Sequence, residues 1–294
     1  MTRQLKRDEI ETAYRAACRL EVRTLKPGNV HIFAGGHRMT IEDFDLSTEV
    51  SAPHIADDTL SVGTRIRRAV EATFAAVGQN TNLGIVLLCA PLAAAAERPS
   101  SAKLADKLKI VLSALDHEDA REVYRAIAAA NPAGLGEDNT GDVRTEPPAA
   151  WTLLDAMRAA APRDMIANEY ATGFAGIFAN ARTFAAQLKS GASAEDALAH
   201  LFLHQLAERP DTHIIRKHGP GLAQRVQERA AGVLAELNGA PPKSLSTPAN
   251  RALLITFDAE LKSWGANPGS LADLMCASVF TSSLDAAVQT RTDN

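Results

Sequence analysis

Apolar residues recur at helical spacing along most of the chain, and Ala, Leu, Arg and Glu are the dominant residue types between turns. In the first segment this spacing places Ile10, Tyr14, Ala17 and Leu20 on one face of a helix. Helices are predicted at residues 8–24, 40–51, 61–77, 83–96, 100–115, 117–130, 149–161, 162–187, 193–207, 221–238, 250–264 and 271–284. We therefore expect an all-α fold, in which residues 1–294 form a single domain of about ten to thirteen helices.

Local signals set the expected helix boundaries. Thr40 with Asp43 forms a capping box that starts one helix, and Ser193 starts another in the same way. Pro53 is expected to end the second helix, because proline lacks the N–H group that a helix needs. Residues 131–148 are rich in Gly and Pro and predict a long loop. This loop is either a lid over a bound acceptor or a disordered connection.

Composition excludes several classes of partner. The chain has 294 residues, 46% of them hydrophobic, and its net charge of −4 comes with scattered rather than clustered Lys and Arg. A nucleic-acid surface needs a clustered basic face, so none is expected. The longest apolar run, at residues 83–96, is interrupted by Pro91 and is too short to span a membrane. The polar N-terminus and the three widely spaced cysteines predict a cytoplasmic protein with reduced thiols.

Four polar loops interrupt the helices, and the first follows the predicted helix 8–24. Its Lys26-Pro-Gly-Asn sequence ends that helix, because Pro27 cannot continue it. Gly28 allows a close approach of backbone to a ligand. We expect the side chains of Lys26 and Asn29 to lie on a turn, free to point at that ligand. The structural alternative is an ordinary helix end with a lysine near the dipole.

The other three loops carry groups that suit a phosphorylated ligand. Residues 78–84 precede a helix N-terminus, where free backbone N–H groups and the helix dipole favour an anion. Residues 209–219 combine a carboxylate, two histidines and adjacent cations, and residues 267–273 form another Gly turn that opens a helix. Each loop also has an ordinary interpretation as a helix cap or a solvated turn. Their occurrence together in one chain favours a binding site.

The order and spacing of these loops resemble the triphosphoribosyl-dephospho-CoA synthase family. The matching stretches are Glu-Val at 21–22, Lys-Pro-Gly-Asn-Val-His at 26–31, Gly-Gly-His-Arg-Met at 35–39, Gly-Gln-Asn-Thr-Asn-Leu-Gly at 78–84, Pro-Asp-Thr-His at 210–213 and Asn-Pro-Gly-Ser-Leu-Ala-Asp-Leu at 267–274. Five positions depart from the family pattern: His31 and Arg38 replace Asp, Asn82 replaces His, Leu83 replaces Lys, and His213 replaces Asn. The resemblance therefore indicates a divergent branch, with changes at acceptor or metal positions.

The resemblance implies a transferase that moves a 5-triphosphoribosyl group from ATP to a hydroxyl of 3'-dephospho-CoA and releases adenine. It implies Mg²⁺ as a cofactor, and Asp211 and Asp273 are expected either to hold this ion or to face the anomeric carbon. The candidate catalytic residues are Glu21 as a base or second carboxylate, His37 as an acid or phosphate donor, and Asp211. The residues expected to hold ATP and its phosphates are Lys26, Gly28, Asn29, Asn80, Thr81, Gly84, Arg216 and Lys217.

Two of these assignments carry further expectations. The structural alternative for Glu21 is a carboxylate on the helix face paired with Arg19 or Arg23. Replacement of Asp211 by Ala is expected to abolish adenine release while the fold stays intact.

Other functions stay open at this point. The same donor chemistry could serve a pterin precursor of a tetrahydromethanopterin-type cofactor, because such cofactors carry an α-linked ribose phosphate on a ribitol hydroxyl. His200 and His204 are four residues apart and would suit a metal-dependent hydrolase, although the glutamate of the HExxH motif is absent. A non-catalytic helical scaffold would leave the four polar loops unexplained. The Ala-rich helices could also support a homodimer.

Overall fold

The computed structural model describes residues 4–34, 39–100, 102–130 and 146–289. Within these ranges the fold is all-α, as predicted, with fourteen α-helices, one more than the upper end of the expected range, and no β-strand. The helices are α1 (Arg7–Arg23), α2 (Ile41–Ile55), α3 (Val62–Val77), α4 (Leu83–Ala96), α5 (Leu104–Ala114), α6 (His117–Ala130), α7 (Leu153–Ala160), α8 (Met165–Ala171), α9 (Ala175–Lys189), α10 (Ala194–Glu208), α11 (Thr212–His218), α12 (Pro220–Leu237), α13 (Pro248–Ser263) and α14 (Gly269–Gln289).

The C-terminal helix α14 is the central element of the core. It packs against α1, α4, α9 and α10, and Phe280 on α14 meets Tyr14 on α1 edge to face, with ring centroids 5.9 Å apart. By length and composition alone, the Gly269–Val288 stretch of α14 could cross a membrane, but 67% of its most apolar window is buried inside the protein. A helix that is apolar on all faces and covered by other helices is an interior helix of a large core.

Helix α4 is also an interior helix, and it contains a proline. Pro91 has no N–H group, so the carbonyl of Leu87 one turn earlier lacks its usual partner. The hydroxyl of Tyr170 on α8 donates a hydrogen bond to this carbonyl at 2.6 Å. A side chain from another helix thereby completes the hydrogen bonding of α4 and lets the helix continue through Pro91.

Three predicted boundaries were wrong. Pro53 does not end α2, which continues to Ile55, because a proline so near the C-terminal end of a helix removes only one hydrogen bond. The segment predicted as one helix at 162–187 is divided into α8 and α9 by Gly173 and Phe174, which both have positive φ. Buried Phe174 packs on Tyr170, four residues earlier, at this corner, and the helical spacing of apolar residues did not reveal the break. The third polar loop contains the short helix α11.

Candidate active site

A cavity of about 910 Å³ lies where the N-terminal ends of α4 and α14 meet the side of α11. Most of the polar residues predicted from the loops line it. The predicted site residues in this lining are Glu21, Asn29, Asn80, Thr81, Gly84, Arg216, Lys217 and Asp273. Lys26, Gly28 and Asp211 do not line it, and the predicted acid His37 lies outside the described residues, as does most of the predicted loop 131–148.

Asp273, in the first turns of α14, faces this cavity. No hydrogen bond or ion pair reaches its carboxylate from the part of the chain that the structure describes. Burial raises its pKa well above the ordinary value, and the negative charges of Glu21 and Asp211 raise it further. An unpartnered carboxylate in a cavity needs a cation or a proton from elsewhere.

Gly84 brings the first turn of α4 against this carboxylate. A Cβ atom at position 84 would overlap Oδ2 of Asp273 and would approach Cδ1 of Ile166 to 2.6 Å. Any larger residue at position 84 would displace the carboxylate. Gly84 therefore permits close packing between the N-terminal ends of α4 and α14, which both line the cavity.

Glu21 and Lys26 form a buried ion pair at the cavity wall. The Lys26 ammonium lies 2.9 Å from Glu21 Oε1, and both side chains are almost fully inaccessible to solvent. The partner of Glu21 is thus neither Arg19 nor Arg23. The prediction that Lys26 projects freely from a turn was also wrong, because this turn folds back over the end of α1 and covers the lysine.

Gly28 and Asn29 fasten this turn to the opposite end of the chain. The Gly28 N–H group donates to Asp258 Oδ1 at 2.8 Å, and a Cβ at this positive-φ position would lie 3.0 Å from the Ala266 carbonyl. Gly28 therefore approaches protein backbone, and the prediction that its glycine geometry serves a ligand was wrong. Asn29 Nδ2 donates to Asn267 Oδ1 at 2.8 Å, and both asparagines line the cavity.

Asp211 caps α11 and links it to α14, and the sequence did not reveal this role. Its Oδ1 accepts hydrogen bonds from the N–H groups of His213 and Ile214, which caps α11. Its Oδ2 accepts a hydrogen bond from the N–H of Leu271 at 2.8 Å, which ties α11 to the start of α14. The side chain is buried outside the cavity. The metal and anomeric-carbon roles of Asp211 stay predictions that its position does not favour, because the side chain lies outside the cavity and accepts three backbone N–H groups.

The Gly78–Gly84 turn is held by its own polar side chains. Asn80 Oδ1 accepts a hydrogen bond from the Leu83 N–H at 3.1 Å, so Asn80 also has the helix-capping role that was its structural alternative. Thr81 Oγ1 lies 2.5 Å from Ser47 Oγ on α2. These bonds fix the turn, and Asn80 satisfies the N–H group of the first residue of α4.

Arg163 lines the cavity, and so do two cations of α11, Arg216 and Lys217, which differ in their partners. Arg216 Nη1 lies 3.2 Å from Asp164 Oδ2, whereas Lys217 is exposed and forms no ion pair with the described residues. Asp164 also caps α8 through the N–H groups of Ile166 and Ala167. Lys217 is thus the less constrained cation for an anionic ligand.

One half of the cavity is apolar, and the sequence analysis did not predict it. Its lining comes mainly from α6 and α7 and from the segment before α7, and it includes Val123, Tyr124, Ile127, Trp151, Leu153 and Met157. The helical stripe of α6 was visible in the sequence, but a stripe alone does not distinguish a cavity wall from a packed core.

The predicted histidine pair lies apart from this site. The rings of His200 and His204 on α10 lie in contact at a tilt of 41°, with centroids 4.3 Å apart, and His200 Nδ1 contacts Gln187 on α9 at 3.1 Å. Burial lowers the pKa of His200 to about 4. The described residues contain no group of three or more His, Cys, Asp or Glu side chains arranged to hold a metal ion.

The fold and the cavity define an all-α protein in which helix N-termini, cations and an unpaired carboxylate surround a space of substrate size. The chain belongs to the family of ATP:dephospho-CoA triphosphoribosyl transferases (CitG), whose family model matches residues 7–292. The resemblance inferred from the four polar loops is therefore confirmed. Membership in a transferase family replaces the scaffold and hydrolase alternatives.

A solved structure from Archaeoglobus fulgidus, described as a candidate triphosphoribosyl-dephospho-CoA synthase, has the same fold. It is 24% identical to this chain, with a TM-score of 0.62, and the match covers 80% of this chain and 96% of that one. Among proteins with curated functions, the search found no match.

Proposed function

We propose that this protein transfers the 5-triphosphoribosyl group of ATP to a hydroxyl of 3'-dephospho-CoA and releases adenine. The observation that carries the proposal is the unpaired carboxylate of Asp273 in a cavity that also presents two helix N-termini and the cations of α11. This combination provides binding for a triphosphate and a negative charge for a sugar centre. Family membership supports the direction of transfer.

The bond changes are simple to state. The acceptor hydroxyl oxygen forms a bond to C1' of the ATP ribose, and the bond from C1' to N9 of adenine breaks. The hydroxyl proton passes to a carboxylate, and adenine leaves after it takes up a proton. The ribose passes through an oxocarbenium-like state, which a nearby negative charge stabilises, as in glycoside hydrolysis.

The triphosphate would lie at the N-terminal ends of α4 and α14. Backbone N–H groups and the helix dipole favour anions at such positions. Arg216 and Lys217 on α11 line the same cavity and would neutralise part of the charge. Asn80 and Thr81 would act through the turn that they hold, because their side chains are engaged with Leu83 and Ser47.

The residues present fit a Mg²⁺ ion at Asp273. Mg²⁺ in nucleotide sites is typically bound by one or two carboxylates together with substrate phosphates and water. Asp273 provides a carboxylate in the cavity without a competing donor from the described chain, whereas both oxygens of Asp211 accept backbone N–H groups. When bound, Mg²⁺ would neutralise triphosphate charge.

Glu21 is the best placed base for the acceptor hydroxyl. Its side chain lines the cavity and its carboxylate is held by one lysine. The acid that protonates the departing adenine stays a prediction, because His37 lies outside the described residues. The apolar half formed by α6 and α7 suits the uncharged part of the acceptor. A cytoplasmic location is part of this proposal and agrees with the three free cysteines.

A pterin-type acceptor is the second candidate. His213 replaces the family asparagine and lines the cavity, so the change lies where it can contact a substrate. The same ATP chemistry on a ribitol hydroxyl would give the α-linked ribose phosphate of such cofactors.

The experiment that tests the proposal measures adenine released from ATP and Mg²⁺ by chromatography. Dephospho-CoA and a pterin-ribitol precursor are supplied in parallel reactions. Adenine release that depends on dephospho-CoA supports the first candidate, and release that depends only on the pterin supports the second. Absence of adenine with both acceptors, in a protein that binds ATP, contradicts the proposed transfer.

A further inference from the structure

Lys26 has all three of its N–H donors directed at the protein itself. They reach Glu21 Oε1 at 2.9 Å, the Glu21 carbonyl at 2.7 Å and the Val30 carbonyl at 2.9 Å. The side chain is 0% exposed. A lysine ammonium has three donors and no acceptor, so its capacity is filled. Contact with a substrate phosphate would require one of these bonds to break.

Glu21 and Lys26 lie at different depths relative to the cavity. Glu21 lines the cavity and Lys26 does not, so the lysine stands behind the carboxylate as seen from the substrate. The bond to the Val30 carbonyl fixes the returning turn, and Val30 and Asn29 line the cavity next to Glu21. One ammonium thus anchors both the carboxylate and the backbone beside it.

We propose that Lys26 is a positioning residue for Glu21, which holds the carboxylate in place and supplies the charge that keeps it ionised to accept the acceptor proton. This inference rests on the proposed function of the site. It assigns the lysine of the Lys-Pro-Gly turn to the base, in place of the phosphate contact that the sequence suggested. In this proposal Glu21 contacts the substrate, and Lys26 does not.

The charges around the pair are consistent with this role. Burial raises the pKa of Glu21, and the Lys26 ammonium opposes that rise. Asp273 and Cys276 on α14 also interact with the charge of Glu21, and Lys262 on α13 acts on Lys26. A carboxylate buried beside another carboxylate stays ionised at neutral pH only with a close cation.

The test is a double-mutant cycle of Lys26→Met and Glu21→Gln, read out by kcat for adenine release and by the Kd of ATP with Mg²⁺. If Lys26 acts through Glu21, each single change lowers kcat by about 100-fold, the order of magnitude of a general base. The double variant is then no slower than Glu21→Gln, and the Kd of ATP stays within about twofold. Multiplicative losses of kcat, or a Kd that rises by about tenfold or more in Lys26→Met, overturn the inference.

The pH profile gives a readout that a purely structural role would not move. Loss of the ammonium raises the pKa of a carboxylate base, so the acidic limb of kcat/KM moves to higher pH in Lys26→Met. An acidic limb that does not move, together with a lowered kcat, contradicts the proposal.

The same variants also provide a control for loss of folding. Lys26→Met leaves a lone buried carboxylate, whereas the double variant leaves two neutral side chains, so its Tm is expected to lie above that of Lys26→Met. Lys107→Met is the matched control, because Lys107 is also 0% exposed, lies outside the cavity and has no hydrogen-bond partner within the described chain. Its adenine release is expected to equal that of the wild type.

Failure of the inference can be separated from failure of the proposed function. If the wild type binds ATP but releases no adenine, the proposed transfer fails. The Kd measurement and the order of Tm values then still decide whether Lys26 contacts ATP or supports Glu21.

Discussion

Asp211 and Asp273 are two carboxylates at the junction of α11 and α14, and their surroundings are opposite. Asp211 lies outside the cavity and accepts three backbone N–H groups, one of them from Leu271 near the start of α14. Asp273 stands two residues further along α14, faces the cavity and receives no donor from the described residues. The first is satisfied by the fold, and the second has no partner within the part of the chain that the structure describes.

The comparison shows how a polar residue is assigned to structure or to chemistry. A buried carboxylate whose hydrogen bonds are complete contributes to stability. A carboxylate left without partners inside a cavity lowers stability, and it persists where function needs it. The two aspartates therefore predict opposite mutational phenotypes.

The largest expected effect is on activity, at Asp273. Asp273→Asn removes the unpaired charge, so adenine release is expected to fall by about 1,000-fold, the order found for key electrostatic groups. The Tm is expected to stay the same or to rise, because a repelled carboxylate is lost. Chromatography of adenine and a thermal melt measure the two properties. Activity within about tenfold of the wild type would remove Asp273 from the site.

The next effect is on stability, at Asp211. Asp211→Ala leaves three N–H groups without their acceptor, which is expected to lower the free energy of unfolding by about 3 kcal/mol. Urea denaturation measures this loss. The earlier expectation of an intact fold is thereby replaced. A variant of wild-type stability that releases no adenine would instead place Asp211 in the chemistry.

The pH dependence of stability sharpens the same contrast. Burial raises the pKa of Asp211 to about 6, although its three backbone donors oppose the rise. The folded state therefore holds a proton that the unfolded state has released, and this contribution to stability is lost as pH increases from about 4 to 6. The loss is about 3 kcal/mol.

The matched variant for this measurement is Asp211→Asn, which does not titrate. The difference in unfolding free energy between wild type and variant is expected to shrink as pH increases through this window. A difference that grows with pH would mean that the three N–H donors outweigh burial.

Gly84 tests the close packing around Asp273. Gly to Ala inside a helix normally stabilises by up to about 1 kcal/mol. Gly84→Ala is expected to destabilise by about 1 kcal/mol and to lower activity, because the new methyl group overlaps the Asp273 carboxylate. Gly232→Ala on α12 is the control, since its nearest contact is an ordinary 3.4 Å from Arg229. Equal effects at the two positions would contradict the contact.

The smallest expected effect belongs to Lys217. Its ammonium is exposed, so Lys217→Ala is expected to raise the KM for ATP by about threefold without a change in kcat. The increase is expected to vanish at high salt, because exposed charges are screened. Steady-state kinetics at two ionic strengths measure both. A salt-independent loss would indicate a buried contact in the bound state.

Much of the fold and part of the site were predictable from the sequence. Helical periodicity identified the class, and the Gly-rich loops marked the helix N-termini of α4 and α14 because local sequence sets turns and caps. The roles of Asp211 and Lys26 were not predictable, because they depend on contacts that local sequence does not encode. Asp211 meets Leu271 across 60 positions, and Lys26 is covered by a turn that Asp258 fastens from 230 positions away. The local sequence pattern shows that such residues lie on a loop, but not which part of the protein the loop contacts.

The proline in α4 has a consequence for the order of assembly. A helix usually completes its hydrogen bonds with neighbours in sequence, whereas α4 depends on the Tyr170 hydroxyl from 83 positions away. The hydrogen bonding of α4 is incomplete until α8 packs against it. Helices α4 and α8 are therefore expected to acquire protection from amide exchange in one step, as a single folding unit.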